Sequence, residues 1–226
     1  MIKILNYTEN PLTTCGMVAG ICYDTTNPKR FPNIAKRCLE EGHGRISEFA
    51  DVILEIDGYS AKMIRELYTM IIGTSRVQAS TRYIDYSKFF DYIKPKTVAN
   101  NQKASILWDE TMVNINKAML TLKDMGVPVE DFTNLLPLAY QTKMVLKINL
   151  RALIHMFHVR ACTCAYWEYR DFMKELKQKL SELDDEWKFI ADKYFVPKCI
   201  ANGYCDEKTR SCGLKPLKID VIGECK

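Results

Sequence analysis

An α+β fold, with a small mixed or antiparallel sheet packed by several helices, is predicted from three observations. Three short segments, 2–7, 50–57 and 142–150, alternate as strands do. At least six further stretches carry helical periodicity or helix boundaries. No internal repeat and no flexible linker interrupts them before a cysteine-rich tail. Residues 1–196 are therefore expected to form one domain, and 197–226 an appended tail.

Taken in order, residues 2–7 alternate weakly and form the first strand. Residues 14–23 read as a helix despite two glycines, and 24–28 break it. Residues 31–41 form a second helix, with Ile34, Cys38 and Leu39 on one face and Gly42 as its stop. A polar loop at 42–49 carries His43 and leads into the strand 50–57, bounded by Gly58. Ser60 caps an amphipathic helix that reaches Ile72, with Met63, Ile64, Leu67, Met70 and Ile71 in its stripe. A polar loop then runs from Ser75 to Tyr86, followed by a stretch rich in Tyr and Phe. Residues 104–125 form the clearest helix. Trp108, Met112, Ile115, Met119 and Leu122 step by 4, 3, 4 and 3, which is the spacing of a packing stripe. Gly126 and Pro128 end it. A short helix at 128–134, the strand 142–150 and helices at 151–163, 165–180 and on to 195 complete the domain.

Of the 226 residues, 47% are apolar and 27% charged, which suits a globular protein with a sizeable core. The net charge of +4 is spread without like-charge blocks. That argues against a nucleic-acid partner and leaves an anionic small molecule open. No apolar run reaches about 18 residues, and the first residues lack a secretory pattern. A cytosolic protein without a membrane partner is expected. The nine cysteines are then expected to be mostly free thiols. Cys199, Cys205, Cys212 and Cys225 crowd the tail, enough for a zinc ion or a disulfide. Their spacings match no standard zinc motif, so no metal is assigned. Cys162-Thr163-Cys164 lacks the two-residue spacer of a redox pair.

Two polar clusters can carry chemistry. The first is Ser75 to Tyr86, which gathers Arg76, Gln78, Ser80, Thr81, Arg82 and Tyr83 directly after a helix. Guanidinium forks and hydroxyls together suit a bound anion, although a polar surface loop has the same composition. The second is Asn149, Arg151, His155, His158 and Arg160, set in an otherwise apolar helix. Arg151 and His155 are four apart and share a helical face. Cationic and amide groups there are costly unless paired or liganded. A core histidine satisfied by hydrogen bonds is the alternative for either His taken alone. No Ser-His-Asp order, phosphate-binding glycine signature or zinc-type histidine pair accompanies them.

Four segments, in order, resemble the flavin-dependent thymidylate synthases of the ThyX type. Gly42-His43 followed by Ser47-Glu48 resembles that family's Gly-His-x-x-x-x-Glu loop. Ser80-Thr81-Arg82-Tyr83 resembles the end of its signature, Ser-x-Arg-Tyr, and Leu135-Leu136-Pro137-Leu138 its Leu-Pro segment. Asn149-Leu150-Arg151 through Arg160, then Ala165-Tyr166-Trp167-Glu168, is similar to its Asn-x-Arg…Arg…Ala-x-Trp-Glu helix pair. The likeness covers roughly residues 12–180.

The resemblance implies a ThyX-like fold and a homotetramer with active sites between subunits. It implies reductive methylation of dUMP to dTMP, with methylenetetrahydrofolate giving the carbon and FAD, reduced by NADPH, the hydride. The protein then supplies positioning and electrostatics, and no enzyme nucleophile is needed. Carried over residue by residue, Ser80 and Arg82 hold the dUMP phosphate, with Arg65 and Gln78 as further nucleotide contacts. Arg160 reaches the uracil carbonyls and stabilises charge on the ring. His43, Arg76, Gln78, Asn149, Arg151 and His155 line the flavin. The family signature opens with Arg-His-Arg, whereas this chain has Tyr68-Thr69-Met70-Ile71-Ile72 in that region. Thr133 stands where an Arg usually precedes the Leu-Pro segment. These departures keep a second reading open, a nucleotide-binding paralogue with an altered substrate or no flavin catalysis.

Overall fold

A computed structural model describes residues 1–223; Cys225 of the tail lies outside the described residues. Strands β1 (Ile2–Tyr7), β2 (Asp51–Ser60), β3 (Thr74–Gln78) and β4 (Gln141–Asn149) form one sheet in the order β1-β2-β4-β3. Hydrogen bonds at the strand ends make every neighbour antiparallel. Thr8 N donates to Asp51 O and Asp57 N to Met1 O; Ala61 N donates to Tyr140 O and Leu150 N to Ala50 O. Asn149 N donates to Gly73 O, and Ala79 N to Lys143 O. Burial alternates strictly along β4, with Thr142, Met144, Leu146 and Ile148 inward. Lys143 and Lys147, between them, pair with Asp57 and Asp51, each at 2.9 Å.

The helices, in chain order, are α1 (Pro11–Gly20), α2 (Phe31–Glu40), α3 (Ala61–Leu67), α4 (Lys96–Ala99), α5 (Gln102–Asp124), α6 (Val129–Phe132), α7 (Leu150–Arg160), α8 (Trp167–Ser181), α9 (Asp185–Tyr194), α10 (Lys198–Asn202) and α11 (Lys218–Ile222). The α+β expectation holds. No helix among the described residues is long and apolar enough to cross a membrane. Contacts gather the chain into two compact units. The first comprises Met1, Ile56–Thr69 and Arg76–Val145; the second comprises Ile2–Glu55, Met70–Ser75 and the chain from Leu146 onward.

In the first unit the α5 stripe packs as its spacing predicts. Met112 and Met119 are buried with Phe90, Phe132 and Tyr140, and Trp108, Ile115 and Leu122 lie against them. In the second unit, α1 and α2 meet at very close range. A Cβ on Gly16 would stand 1.8 Å from the carbonyl oxygen of Phe31, so only glycine fits there. Leu12, Cys15, Ala35, Leu153, Phe157, Phe172 and Trp187 are fully or almost fully buried in this unit. Phe157 stacks on Phe195 with ring centroids 4.3 Å apart.

Three expectations are corrected. The first helix begins at Pro11, not 14, because proline's missing N–H costs nothing at a helix start. α3 ends at Leu67, well before Ile72. Thr69 Oγ1 donates to Glu66 O, and Thr74 Oγ1 to Met70 O, each at 2.7 Å; side-chain hydroxyls thus engage carbonyls at and beyond the helix end. Gly73, at φ 74°, then turns the chain. Ile71 and Ile72 consequently stand 71% and 89% exposed instead of joining a buried stripe. The third correction is β3, which occupies residues assigned to a polar loop. It pairs only with β4, and a solvated edge strand can be polar throughout.

Candidate active site

The first unit carries the Ser75–Tyr86 cluster. β3 places Arg76 and Gln78 on one face, half-buried, with Ser75 and Val77 exposed on the other. The Arg76 guanidinium lies over the Tyr68 ring, 4.4 Å from its centroid. Gln78 Nε2 donates to Thr142 Oγ1 at 3.3 Å. After Ala79 leaves the ladder, Ser80 Oγ accepts from Arg82 N at 3.2 Å in a tight turn. Arg82 Nε donates to Glu130 Oε2 at 2.9 Å, an exposed ion pair. The buried Thr133 hydroxyl lies 2.8 Å from Thr81 O and 2.7 Å from Val129 O, so its one proton serves both carbonyls. Thr133, the departure from the family's Arg, thus tethers the loop. Arg65 is exposed on the last turn of α3.

The second unit carries the other set. Asn149 caps α7: its Oδ1 accepts from Ala152 N at 2.9 Å. The Gly73 turn lies directly against that cap, since a Cβ on Gly73 would approach Asn149 Oδ1 to 2.6 Å. Arg151 Nη1 donates to Glu48 Oε1 at 2.5 Å. A Cβ on Gly44 would sit 3.5 Å from Arg151 Nε, so the loop backbone runs close by the guanidinium. His43 is exposed, with Nδ1 3.9 Å from a Glu41 carboxylate oxygen. His155 is exposed on the Arg151 face of α7. His158 is half-buried, and burial first, then His155 and Lys198, hold it below the usual histidine range, so it is neutral at pH 7. A cleft of about 440 Å³ is lined by Gly42, Gly44, Ser47, Arg151, Ile154 and His158, among others. Arg160, at the end of α7, is half-buried with its guanidinium 5.0 Å from the Tyr169 centroid.

The nominated residues therefore divide. Arg65, Arg76, Gln78, Ser80 and Arg82 belong to the first unit, and His43, Asn149, Arg151, His155 and Arg160 to the second. Sequence reading missed the Glu130 partner of Arg82, which lies 48 residues away and has no local signal. It also missed Gly73, whose place just before the polar run was the available clue.

A flavin's diphosphate needs cations and its ring needs a slot. The exposed Arg151 fits the first, with the ring N–H groups of His155 and His43 as further donors, and the cleft beside Gly44 offers room for part of the second. In the 68–72 region no cation stands, and Ile71 and Ile72 offer apolar area instead.

Residues 3–184 match the family described as thymidylate synthase complementing protein. Flavin-dependent thymidylate synthases of Pyrococcus furiosus and Clostridium tetani are each 28% identical to this chain. The first match covers 92% of this chain and 89% of the relative, the second 94% and 92%. The enzyme of that description from Nitratidesulfovibrio vulgaris is 33% identical over 80% of this chain and 75% of its own. Among solved structures, flavin-dependent thymidylate synthase ThyX of Helicobacter pylori, complexed with FAD and dUMP, matches with TM-score 0.67 at 18% identity. That match covers 85% of this chain and 98% of the other, and it carries the fold.

Proposed function

Because the chain belongs to the thymidylate synthase complementing protein family, we propose that it is a flavin-dependent thymidylate synthase that reductively methylates dUMP to dTMP. Methylenetetrahydrofolate supplies the carbon, and FAD, reduced by NADPH, supplies the hydride. One observation carries this reading. The His43 loop and the Asn149-Leu150-Arg151 segment, 103 residues apart, close on one another through Glu48 and Arg151. Two separate segments of the family pattern thus become one structure.

The chain's own residues bind, orient and balance charge. Ser80 and Arg82 take the nucleotide phosphate, with Arg65 and Gln78 beside the nucleotide. Arg160 faces the uracil carbonyls and stabilises negative charge on the ring as C5 becomes nucleophilic. Arg151 and His155 meet the cofactor's diphosphate, with His43, Asn149, Arg76 and Gln78 as further flavin contacts. The assembly is a homotetramer, supported by Ile106, Val113 and Leu120, which are exposed at seven-residue spacing along α5.

The purified protein is expected to be yellow, or to become so on addition of FAD, and to bind dUMP. A colourless protein that takes up no FAD would sink the proposal. The exposed Ile71 and Ile72 favour one second reading, a nucleotide-binding paralogue with an altered substrate or no flavin catalysis. Calorimetric dUMP binding without turnover in the presence of FAD is its signature.

The Arg82–Glu130 pair gives a further test. An exposed ion pair contributes about 0–1 kcal/mol, so Glu130→Gln is expected to leave thermal stability nearly unchanged. Freed of that competitor, Arg82 is expected to bind dUMP several-fold more tightly by calorimetry. Weaker binding would remove Arg82 from the phosphate site.

A further inference from the structure

All eight described cysteines are free, and five of them line one cavity of about 160 Å³. Cys162 and Cys164 come from the turn after α7; Cys199, Cys205 and Cys212 come from the tail. The sulfurs of Cys162 and Cys164 and a carboxylate oxygen of Glu207 all lie within 4.8 Å of one another. In a tetrahedral zinc site with Zn–S bonds of about 2.3 Å, ligand atoms stand roughly 3.8 Å apart, so small side-chain rotations close the gap. Spacing within the tail alone assigned no metal; the chain supplies the first thiols far upstream.

Two further features point the same way. Cys205 Sγ accepts the backbone N–H of Glu207 at 3.5 Å, two residues on. An amide aimed at a sulfur is the kind of contact that holds a ligating side chain in place. The tail also has almost no core. Between residues 196 and 223 only Cys205 is buried, yet its backbone is ordered into α10, α11 and a bridge between Cys205 and Leu217. A segment this poor in buried apolar surface needs a staple, and convergent thiols supply one.

We propose that Cys162, Cys164 and Glu207, with one tail thiol of the same cavity (Cys199, Cys205 or Cys212) as the fourth ligand, hold a structural zinc ion that ties the tail to the end of α7. Binding releases the thiol protons to solvent and changes no oxidation state. The site does not depend on the flavin reading, because metal content and flavin absorbance are measured separately.

The test uses the full chain, purified without a histidine tag or chelator from zinc-supplemented cells. Elemental analysis is expected to find about one zinc per chain, the stoichiometry of a closed tetrahedral site. An organomercurial that caps the thiols should release it. Cys162→Ser/Cys164→Ser is expected to lose the metal and to speed proteolysis of the tail. Cys22→Ser, exposed and outside the cavity, is expected to keep it. Should the double variant fail to fold, cobalt titration of the metal-stripped wild type reads the same site through thiolate-to-cobalt charge-transfer absorption. Wild-type protein with less than about a tenth of a zinc per chain overturns the proposal, as saturating supply should fill such a site. Iron with acid-labile sulfide in its place, or a disulfide among these cysteines, also overturns it.

Discussion

Arg160→Ala is expected to lower dTMP formation by about 10²–10³-fold, the usual cost of removing one preorganised group that stabilises developing charge. The guanidinium is held in place before substrate arrives. It is half-buried at the last turn of α7 and rests over the Tyr169 ring at 5.0 Å. A cation fixed in that way need not reorganise as charge moves onto the pyrimidine, so its removal should act on kcat more than on KM. The cation–π contact is itself worth about 0.5–2 kcal/mol, so circular dichroism and flavin absorbance must accompany the kinetics. Arg160→Lys keeps the charge but loses the planar fork, and should recover only part of the rate. Rescue of a thymidine auxotroph gives an independent readout. Growth supported equally well by Arg160→Ala would remove this residue from the site.

Gly16→Ala should have the largest effect on stability. In an ordinary helix this change is favourable by about 1 kcal/mol, because alanine is the better helix former. Here the sign is reversed. The added Cβ would lie 1.8, 2.3 and 2.7 Å from the carbonyl oxygen, carbonyl carbon and Cα of Phe31. Those are backbone atoms, so no side-chain rotation relieves the contact. α1 and α2 must separate, loosening the packing around Leu12, Cys15 and Ala35. The expected loss is about 3 kcal/mol, the upper end for overpacking. For a chain of this size that lowers Tm by roughly 6–12 °C. Met17→Ala, at the adjacent and exposed helix position, is the control and should move Tm little. Equal melting temperatures for Gly16→Ala and wild type would show that the two helices are not in this contact.

Local patterns were legible wherever the physics is local. Ser60 and Asn149 each accept the amide hydrogen bond that a helix cap accepts, as expected for such residues at a helix start. The α5 stripe and the alternation of β4 survived because side-chain period follows directly from backbone geometry. The same local logic misread residues 68–78. Ile71 and Ile72 extended an apolar period into a turn, and a polar edge strand looked like a loop. In both cases the deciding partner, a threonine hydroxyl on a carbonyl or a strand arriving from residue 141 onward, is invisible to a short window.

The sequence by itself determined the fold class, most element positions and the ordered segments that place the chain in its family. Only the tertiary structure decided which of those residues meet. It paired Arg151 with Glu48 and Arg82 with Glu130, set Gly73 against the Asn149 cap, and pressed Gly16 onto Phe31. It also brought Cys162 and Cys164 to the thiols of the tail. The reason is physical: periodicity, capping and turn preference act within a few residues of chain. An ion pair, a close helix contact or a ligand shell depends on where the backbone returns, and that depends on the packing of the whole unit.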